Sequence, residues 1–278
     1  MKPLFILYAL FTLVLLSFGL HQALDVAPTE QTMGDIQRIF YYHVPSAWVA
    51  FLCFFANFLA SVAFLANLKE SGPKSARMIL LALCGAATAI LLARHIPNAA
   101  ANVVTVWIVY LAFHFLTKLD TNQQDAIAVS TAEVGVVFCS IVLVTGPLWA
   151  KPVWGIWWTW DARLTSTFIM WLIYVSYLLL RRFSTADEQT PKLAAALAIF
   201  GFVDVPIVYM SIRWWRTQHP SPVIGGGEGS GLDPRMLHVL LWNFLAFAAY
   251  GLLVVWRRYQ LERGRQQLNI LYRTQGAA

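Results

Sequence analysis

The sequence predicts an all-α fold, a polytopic helical bundle that is integral to a membrane. Hydrophobic residues make up 59% of the 278 residues and charged residues only 12%, which lies outside the usual range for soluble globular domains. Eight apolar runs approach or exceed the ~17 residues that an α-helix needs to cross a bilayer. The predicted transmembrane helices cover residues 3–21, 46–68, 78–94, 99–116, 126–149, 164–181, 192–213 and 236–256.

Three of these runs need individual justification. The run 3–21 exceeds the roughly 7–15 apolar residues of a secretory signal, so we expect an uncleaved first span. The runs 78–94 and 99–116 are the shortest, and they are predicted to form an inserted apolar hairpin within residues 77–118. Two full crossings or a partly re-entrant hairpin would both return the chain to the side that it left.

The basic residues predict the orientation of the bundle. With a cytoplasmic amino terminus, 13 of the 20 Lys and Arg residues flank spans on the cytoplasmic side, as the positive-inside rule requires. Both termini are then cytoplasmic, and residues 22–45, 149–163 and 214–235 lie outside. Because the basic residues flank spans, the net charge of +6 does not indicate nucleic-acid binding. We expect residues 1–278 to form a single membrane domain.

A tryptophan-rich segment lies between the fifth and sixth predicted spans. Residues 154–161 read Trp-Gly-Ile-Trp-Trp-Thr-Trp-Asp, and indole offers a broad apolar face with one N–H donor. In a helix, i, i+3, i+4, i+7 spacing would place four of these residues on one side, with Trp160 directed elsewhere. These four are Trp154, Trp157, Trp158 and Asp161. An aromatic belt is the alternative, but a belt marks both membrane surfaces, whereas eight of the 12 tryptophans lie on the predicted outer side.

Two histidines near this segment are candidate iron ligands. His43 precedes Pro45, which favours the first turn of a helix and would hold the imidazole at a rigid helix start. His219 follows the seventh span beside paired tryptophans. A neutral imidazole nitrogen binds iron well, and a haem takes one axial ligand on each face. The pair therefore predicts a bis-imidazole haem site, with His238 at the start of the last span as the alternative ligand.

Four charged residues each have two interpretations. Arg38 and Arg163 would pair with haem propionates, because a guanidinium binds a carboxylate bidentately; pairing with lipid phosphate or with a loop aspartate is an equal alternative. Asp204 and Glu133 lie inside predicted spans, where charges are costly and therefore often functional. For Asp204, a carboxyl that caps a kink at Pro206 is the alternative.

Three motifs resemble those of the CcmC family, WWD-domain proteins that handle haem in cytochrome c maturation. They are Trp-Gly-x-Trp-Trp-x-Trp-Asp followed by Ala-Arg-Leu-Thr-Ser, His-Val-Pro-Ser-Ala-Trp, and Trp-Trp-Arg-Thr-x-His-Pro. The resemblance covers residues 20–75 and 126–258. It implies a bacterial inner membrane protein that binds haem b (iron protoporphyrin IX) at the periplasmic face, with His43 and His219 as axial ligands.

The resemblance also implies partners. The tryptophan-rich segment would contact the haem and present it to the membrane-anchored chaperone CcmE, and CcmA, CcmB and CcmD would be further partners. Arg38 and Arg163 match the family's motif arginines. Such a protein positions haem and has no independent turnover.

One departure and two alternative functions accompany this resemblance. CcmC proteins usually have six spans, whereas residues 77–118 add two. A haem–apocytochrome c lyase of the same superfamily would have more histidines inside the membrane, and here only His114 and His238 are candidates for that depth. The permease subunit of a small-molecule exporter would need a polar path across several spans, yet few charged residues lie within them. The sequence therefore favours haem delivery.

Overall fold

The structure is a computed structural model that describes residues 3–69, 71–93, 99–184, 189–215, 217–220 and 231–276. These residues form α-helices joined by short irregular segments, together with a π-helical turn at Gln22–Val26 and a 3₁₀ turn at Asp35–Ile39. The helices are α1 Pro3–His21, α2 Phe40–Asn67, α3 Gly72–Ala93, α4 Ala99–Leu116, α5 Thr121–Trp154, α6 Ala162–Phe183, α7 Gln189–Phe202, α8 Asp204–Trp214 and α9 Pro234–Gly276. The all-α fold class is confirmed.

Eight helical stretches in the described part of the chain are long and apolar enough to cross a membrane, as predicted. Helices α7 and α8 together make one of them, Gln189–Trp214, which is interrupted at Val203. Because successive crossings alternate in direction, residues 22–39, 155–161 and 217–220 lie at the same end of the bundle. We call it the tryptophan end.

Helices α2 and α5 form the centre of the bundle. Gly135 of α5 permits their close approach, since a β-carbon at this position would lie 2.6 Å from Cε1 of Phe54 on α2. Phe54 in turn stacks on Tyr174 of α6, with ring centroids 3.7 Å apart. Asn57 of α2 donates a hydrogen bond to the carbonyl of Ala128 at 2.7 Å. The centre is therefore fixed by close packing and by a buried hydrogen bond between the two helices.

Ion pairs join the helices in the half of the bundle opposite the tryptophan end. Arg181 of α6 binds both carboxylate oxygens of Asp125 on α5, each at 2.7 Å. Arg258 of α9 binds Glu133 of α5 in the same bidentate manner. Glu133 is thus a paired structural charge. The pairing explains how an acid is tolerated at this depth.

The break between α7 and α8 occurs where the sequence places Asp204 and Pro206. The expected capping role of Asp204 is not borne out for one of its oxygens, because Oδ2 is buried without a hydrogen-bond partner. The kink itself is present, as the proline predicts.

Several helix boundaries differ from the prediction. Helix α2 begins at Phe40, so Pro45 lies inside the helix and His43 in its first turn, because the 3₁₀ turn before it already directs the chain along the helix axis. Helix α9 continues to Gly276, since polar residues with high helix propensity extend it beyond the membrane.

The hairpin of α3 and α4 packs against α2 through a small apolar cluster. Leu59 and Ala63 of α2 contact Phe113 of α4 there. Most other side chains of the two helices are exposed, as suits contact with lipid. The turn of the predicted hairpin, residues 94–98, lies outside the described residues, and with it His95.

Candidate functional site

His43 lies in the first turn of α2 and faces α5. Its Nδ1 lies 2.8 Å from Oγ1 of Thr145. The Thr145 hydroxyl donates its single proton to the carbonyl of Ile141 at 2.7 Å, so Oγ1 accepts the hydrogen on Nδ1 of His43. This contact fixes the tautomer in which Nε2 carries the free lone pair, which is the state of a metal-binding histidine with an outer-shell partner.

His219 lies in the non-helical segment 217–220 and adopts the same tautomer. Its Nδ1 lies 2.9 Å from the carbonyl oxygen of Pro220, and because a carbonyl can only accept, Nδ1 carries the hydrogen. Burial, and then the nearby charge of Arg163, lower the pKa of the imidazole to about 4. The ring is therefore neutral at pH 7, with Nε2 available as a ligand.

The two imidazoles lie at the same end of the bundle. His43 contacts Thr145 of α5, and His219 follows α8, which Arg163 of α6 joins through the carbonyl of Val208. A six-coordinate porphyrin iron can take two imidazole nitrogens from a protein, whereas a tetrahedral zinc site takes three or four protein ligands. The donor set thus fits a haem.

Asp161 stands at the beginning of α6 and uses both carboxylate oxygens. Oδ1 accepts a hydrogen bond from the backbone N–H of Leu164 at 2.9 Å and caps the helix. Oδ2 accepts one from the Thr217 hydroxyl at 2.7 Å. The Thr217 oxygen in turn accepts a hydrogen bond from the backbone N–H of His219 at 3.0 Å. Asp161 is therefore linked to a candidate iron ligand through one hydroxyl.

The helix expected for residues 154–161 is not formed. Helix α5 ends at Trp154, and Gly155 adopts a left-handed conformation with φ 77°. Its N–H bonds to the carbonyl of Lys151 at 2.9 Å, which is a common way for a helix to end. Residues 155–161 are irregular, so helical spacing does not determine which indoles share a face.

The four indoles have different surroundings. Trp158 and Trp160 pack edge to face with centroids 5.6 Å apart, so Trp160 is not directed elsewhere as expected, and both rings lie 6.3 Å from that of Phe168 on α6. Trp157 is exposed, with the Lys151 ammonium 5.9 Å from its ring. Trp154 is half-buried.

A cavity of about 430 Å³ is lined by Trp158 and Trp160 together with residues of α5 and α6. On α5 it adjoins Ser140 and Val144, whereas His43 contacts Thr145 and has Trp149 5.9 Å away. At about 100° per residue, these are different faces of α5. The structure therefore places the two histidines at the same end of the bundle. Trp158 and Trp160 lie against a different face of α5 from the face that His43 contacts.

Two indole donors at this end have no acceptor among the residues that the structure describes. The Nε1 atoms of Trp149 and Trp158 are both buried without a hydrogen-bond partner. Buried donors are almost always paired, so each is available to an acceptor on a ligand. Trp149 is the nearer to His43.

Both candidate arginines are engaged by the protein. Arg38 binds Asp35 at 3.0 Å and the carbonyl of Ala23 at 2.7 Å, which is the loop-to-aspartate pairing considered above. Arg163 donates to the carbonyl of Val208 on α8 at 3.1 Å. Arg163 thus holds α8 against α6 beside the histidines, and propionate binding by either arginine stays a prediction.

His238, the alternative ligand, has another partner. Its Nε2 accepts a hydrogen bond from Nε1 of Trp242 at 2.8 Å on the same helix. The nitrogen that is free in His43 and His219 is therefore occupied in His238.

Sequence reasoning missed the two threonines that orient the histidines. Thr217 lies two residues before His219, and a hydroxyl that binds the backbone N–H two residues on is a recognised local pattern. Thr145 is 102 residues from His43, and nothing in the sequence indicates the contact because it depends on how α2 packs on α5.

The fold and the site define a polytopic α-helical membrane protein that presents two neutral imidazoles at one end of its bundle. Residues 85–272 match the family described as heme exporter protein C, CcmC. The chain belongs to this family, which confirms the resemblance.

Individual relatives agree with this assignment. The chain is 31% identical over 237 residues to heme exporter protein C of Bradyrhizobium diazoefficiens, covering 85% of this chain and 70% of the relative. It is 28% identical over 257 residues to heme exporter protein C of Haemophilus influenzae, covering 92% and 83%. A putative cytochrome c biosynthesis ccmC-like mitochondrial protein of Marchantia polymorpha is 29% identical over 237 residues, covering 85% and 76%.

Proposed function

We propose that the protein binds haem b between His43 and His219 and delivers it to the chaperone CcmE in cytochrome c maturation. The observation that carries the proposal is the shared state of the two imidazoles, because each donates its Nδ1 hydrogen to an oxygen and keeps Nε2 for a metal. The names of the relatives, heme exporter and cytochrome c biosynthesis proteins, support haem as the ligand.

The protein's own groups bind and orient the ligand. Haem would supply the iron that accepts the two imidazoles and the vinyl group to which a histidine of the partner becomes covalently attached. The buried N–H group of Trp149, whose ring lies 5.9 Å from that of His43, is suited to an acceptor on the porphyrin edge, and apolar helices around the site exclude water. No independent turnover is proposed for the chain.

The proposed setting is the bacterial inner membrane, with the tryptophan end in the periplasm and both termini in the cytoplasm. The excess of Lys and Arg near the opposite end supports this orientation. CcmA, CcmB and CcmD are proposed as further partners on the strength of the family resemblance. Any ATP-powered step would come from a partner, since this sequence carries no phosphate-binding glycine loop.

The binding step is tested by absorbance spectroscopy of purified protein titrated with haem. We expect a low-spin bis-imidazole spectrum in the wild type. His43→Ala and His219→Ala should each lose it, whereas His238→Ala should keep it, because that imidazole is bonded to Trp242. An unchanged spectrum in both of the first two variants would overturn the ligand assignment.

The delivery step is tested by expressing the same variants with CcmE and measuring haem that becomes covalently attached to CcmE. Attachment should fall to background with His43→Ala and His219→Ala and should remain with His238→Ala. Normal attachment with both histidines replaced in one chain would contradict delivery from this site.

A further inference from the structure

We propose that Asp161 and Thr217 are positioning residues for His219. Asp161, the last residue of the tryptophan-rich segment, would then affect haem binding through His219. The inference rests on the proposed function, since it assigns these two side chains a role in haem ligation. They act by holding His219 and do not touch the haem.

The geometry forms one continuous chain of hydrogen bonds. It begins at the N–H of Leu164 in the first turn of α6, passes through Asp161, and reaches the Thr217 hydroxyl at 2.7 Å. It ends at the backbone N–H of His219, 3.0 Å from the Thr217 oxygen. Both oxygens of Asp161 are used within the protein. The carboxylate is therefore engaged in holding Thr217.

His219 needs such an anchor because of where it lies. The residues 217–220 are not helical, so no helical hydrogen bonds fix their backbone, and ordering it costs conformational entropy. His43 needs no equivalent, since α2 holds its backbone. A hydroxyl at position 217 is suited to the task because it donates to Asp161 and accepts from His219 at the same time.

The arrangement couples the tryptophan-rich segment to the axial ligand. Asp161 directly follows Trp160, and Trp160 packs against Phe168 on the same helix that Asp161 caps. A displacement of the segment by a ligand or partner at its indoles would therefore be transmitted to His219 through Thr217. The position of the iron ligand is thus set by the segment that contacts solvent at the tryptophan end.

Two substitutions separate this role from stabilisation of the fold. Asp161→Ser keeps a good helix cap, but its single short side chain cannot also bind Thr217. Thr217→Val keeps the shape of the side chain and removes the hydroxyl. Thr217→Ser, which retains the hydroxyl, is the matched control.

In haem titrations, Asp161→Ser and Thr217→Val should each raise the haem dissociation constant about 10- to 100-fold, the usual cost of losing an outer-shell partner. The low-spin fraction at saturation should fall, while Thr217→Ser matches the wild type. The variant that carries both substitutions should have a haem dissociation constant no higher than that of the weaker-binding single variant, because each substitution removes the same hydrogen-bonded link. Additive losses, or wild-type affinity in Thr217→Val, would overturn the proposal.

A measurement on the haem-free protein tests the contact itself. With ¹⁵N-histidine labelling, six backbone amides are visible, one for each histidine, and the His219 signal is assigned by its absence in His219→Ala. Its hydrogen exchange should be faster in Thr217→Val than in the wild type, with the other five unchanged. Equal exchange would contradict the anchor. If the wild type itself gives no low-spin haem spectrum, the proposed function fails instead.

Discussion

The two imidazoles are held by different means. His43 belongs to α2, and the side chain of Thr145 on the neighbouring α5 fixes its ring. His219 lies outside any helix, and Thr217 fixes its backbone. One ligand therefore depends on how two helices pack, and the other depends on one hydroxyl near the surface. We expect the second to be the more easily displaced when haem is released.

Replacing Thr145 by Val tests the first of these contacts. The variant keeps the side-chain shape but removes the acceptor for the Nδ1 hydrogen of His43, so the ring loses its fixed tautomer and orientation. We expect the haem dissociation constant to rise about 10- to 100-fold in a titration followed by absorbance. Thr145→Ser should bind as the wild type does, and unchanged affinity in Thr145→Val would argue against the contact.

At the residue scale, the sequence could predict the candidate ligands but not what orients them. His43 and His219 stand in short motifs with Pro45 and paired tryptophans, so local chemistry alone favours them. Asp161 was predicted as part of the site, but its partner Thr217 is 56 residues away. Contacts of this kind follow from tertiary packing, which a single sequence does not display.

At the scale of single elements, the tryptophan-rich segment owes its irregular conformation to the residue at the C-cap of α5. Gly155 has a positive φ that other residues rarely adopt. The shared face that the spacing of the tryptophans would give on a helix did not form, because this stop signal precedes most of the segment. The spans were easier to predict, because their apolar runs exceed the length that a crossing needs.

Trp158 is the indole whose replacement distinguishes a ligand site from an aromatic belt. Its Nε1 is buried without a partner, and its ring packs on Phe168. We expect Trp158→Leu to shorten haem retention on a desalting column several-fold and to lower the free energy of unfolding by only about 0.5–1.5 kcal/mol, the worth of an aromatic pair.

The control for this experiment is Trp107→Leu on α4, which removes a partly exposed indole from another helix. It should retain haem as the wild type does. Equal retention in both variants would mean that Trp158 contributes no more to haem binding than an indole far from the tryptophan end, which favours the aromatic belt.

For the whole molecule, composition predicted the class and the number of crossings, because a chain with 59% hydrophobic residues has few folded alternatives. Composition did not predict that stabilising ion pairs and the candidate ligands lie at opposite ends of the bundle. Ion pairs such as Arg181–Asp125 join the helices at one end, whereas the histidines lie at the other. Breaking a buried pair is costly to stability, so damage there should act on folding rather than on ligation.

The orientation of the bundle is tested by labelling single introduced cysteines with a membrane-impermeant maleimide in whole cells whose outer membrane is permeabilised. Gln31→Cys lies in the exposed first segment at the tryptophan end, and Gln267→Cys lies on the exposed part of α9 at the other end. The three natural cysteines are buried, so background labelling should be low. Because the positive-inside rule places the basic end of α9 in the cytoplasm, we expect Gln31→Cys to react in intact cells and Gln267→Cys only after lysis. The opposite pattern would place both imidazoles in the cytoplasm, where delivery to a periplasmic chaperone is impossible.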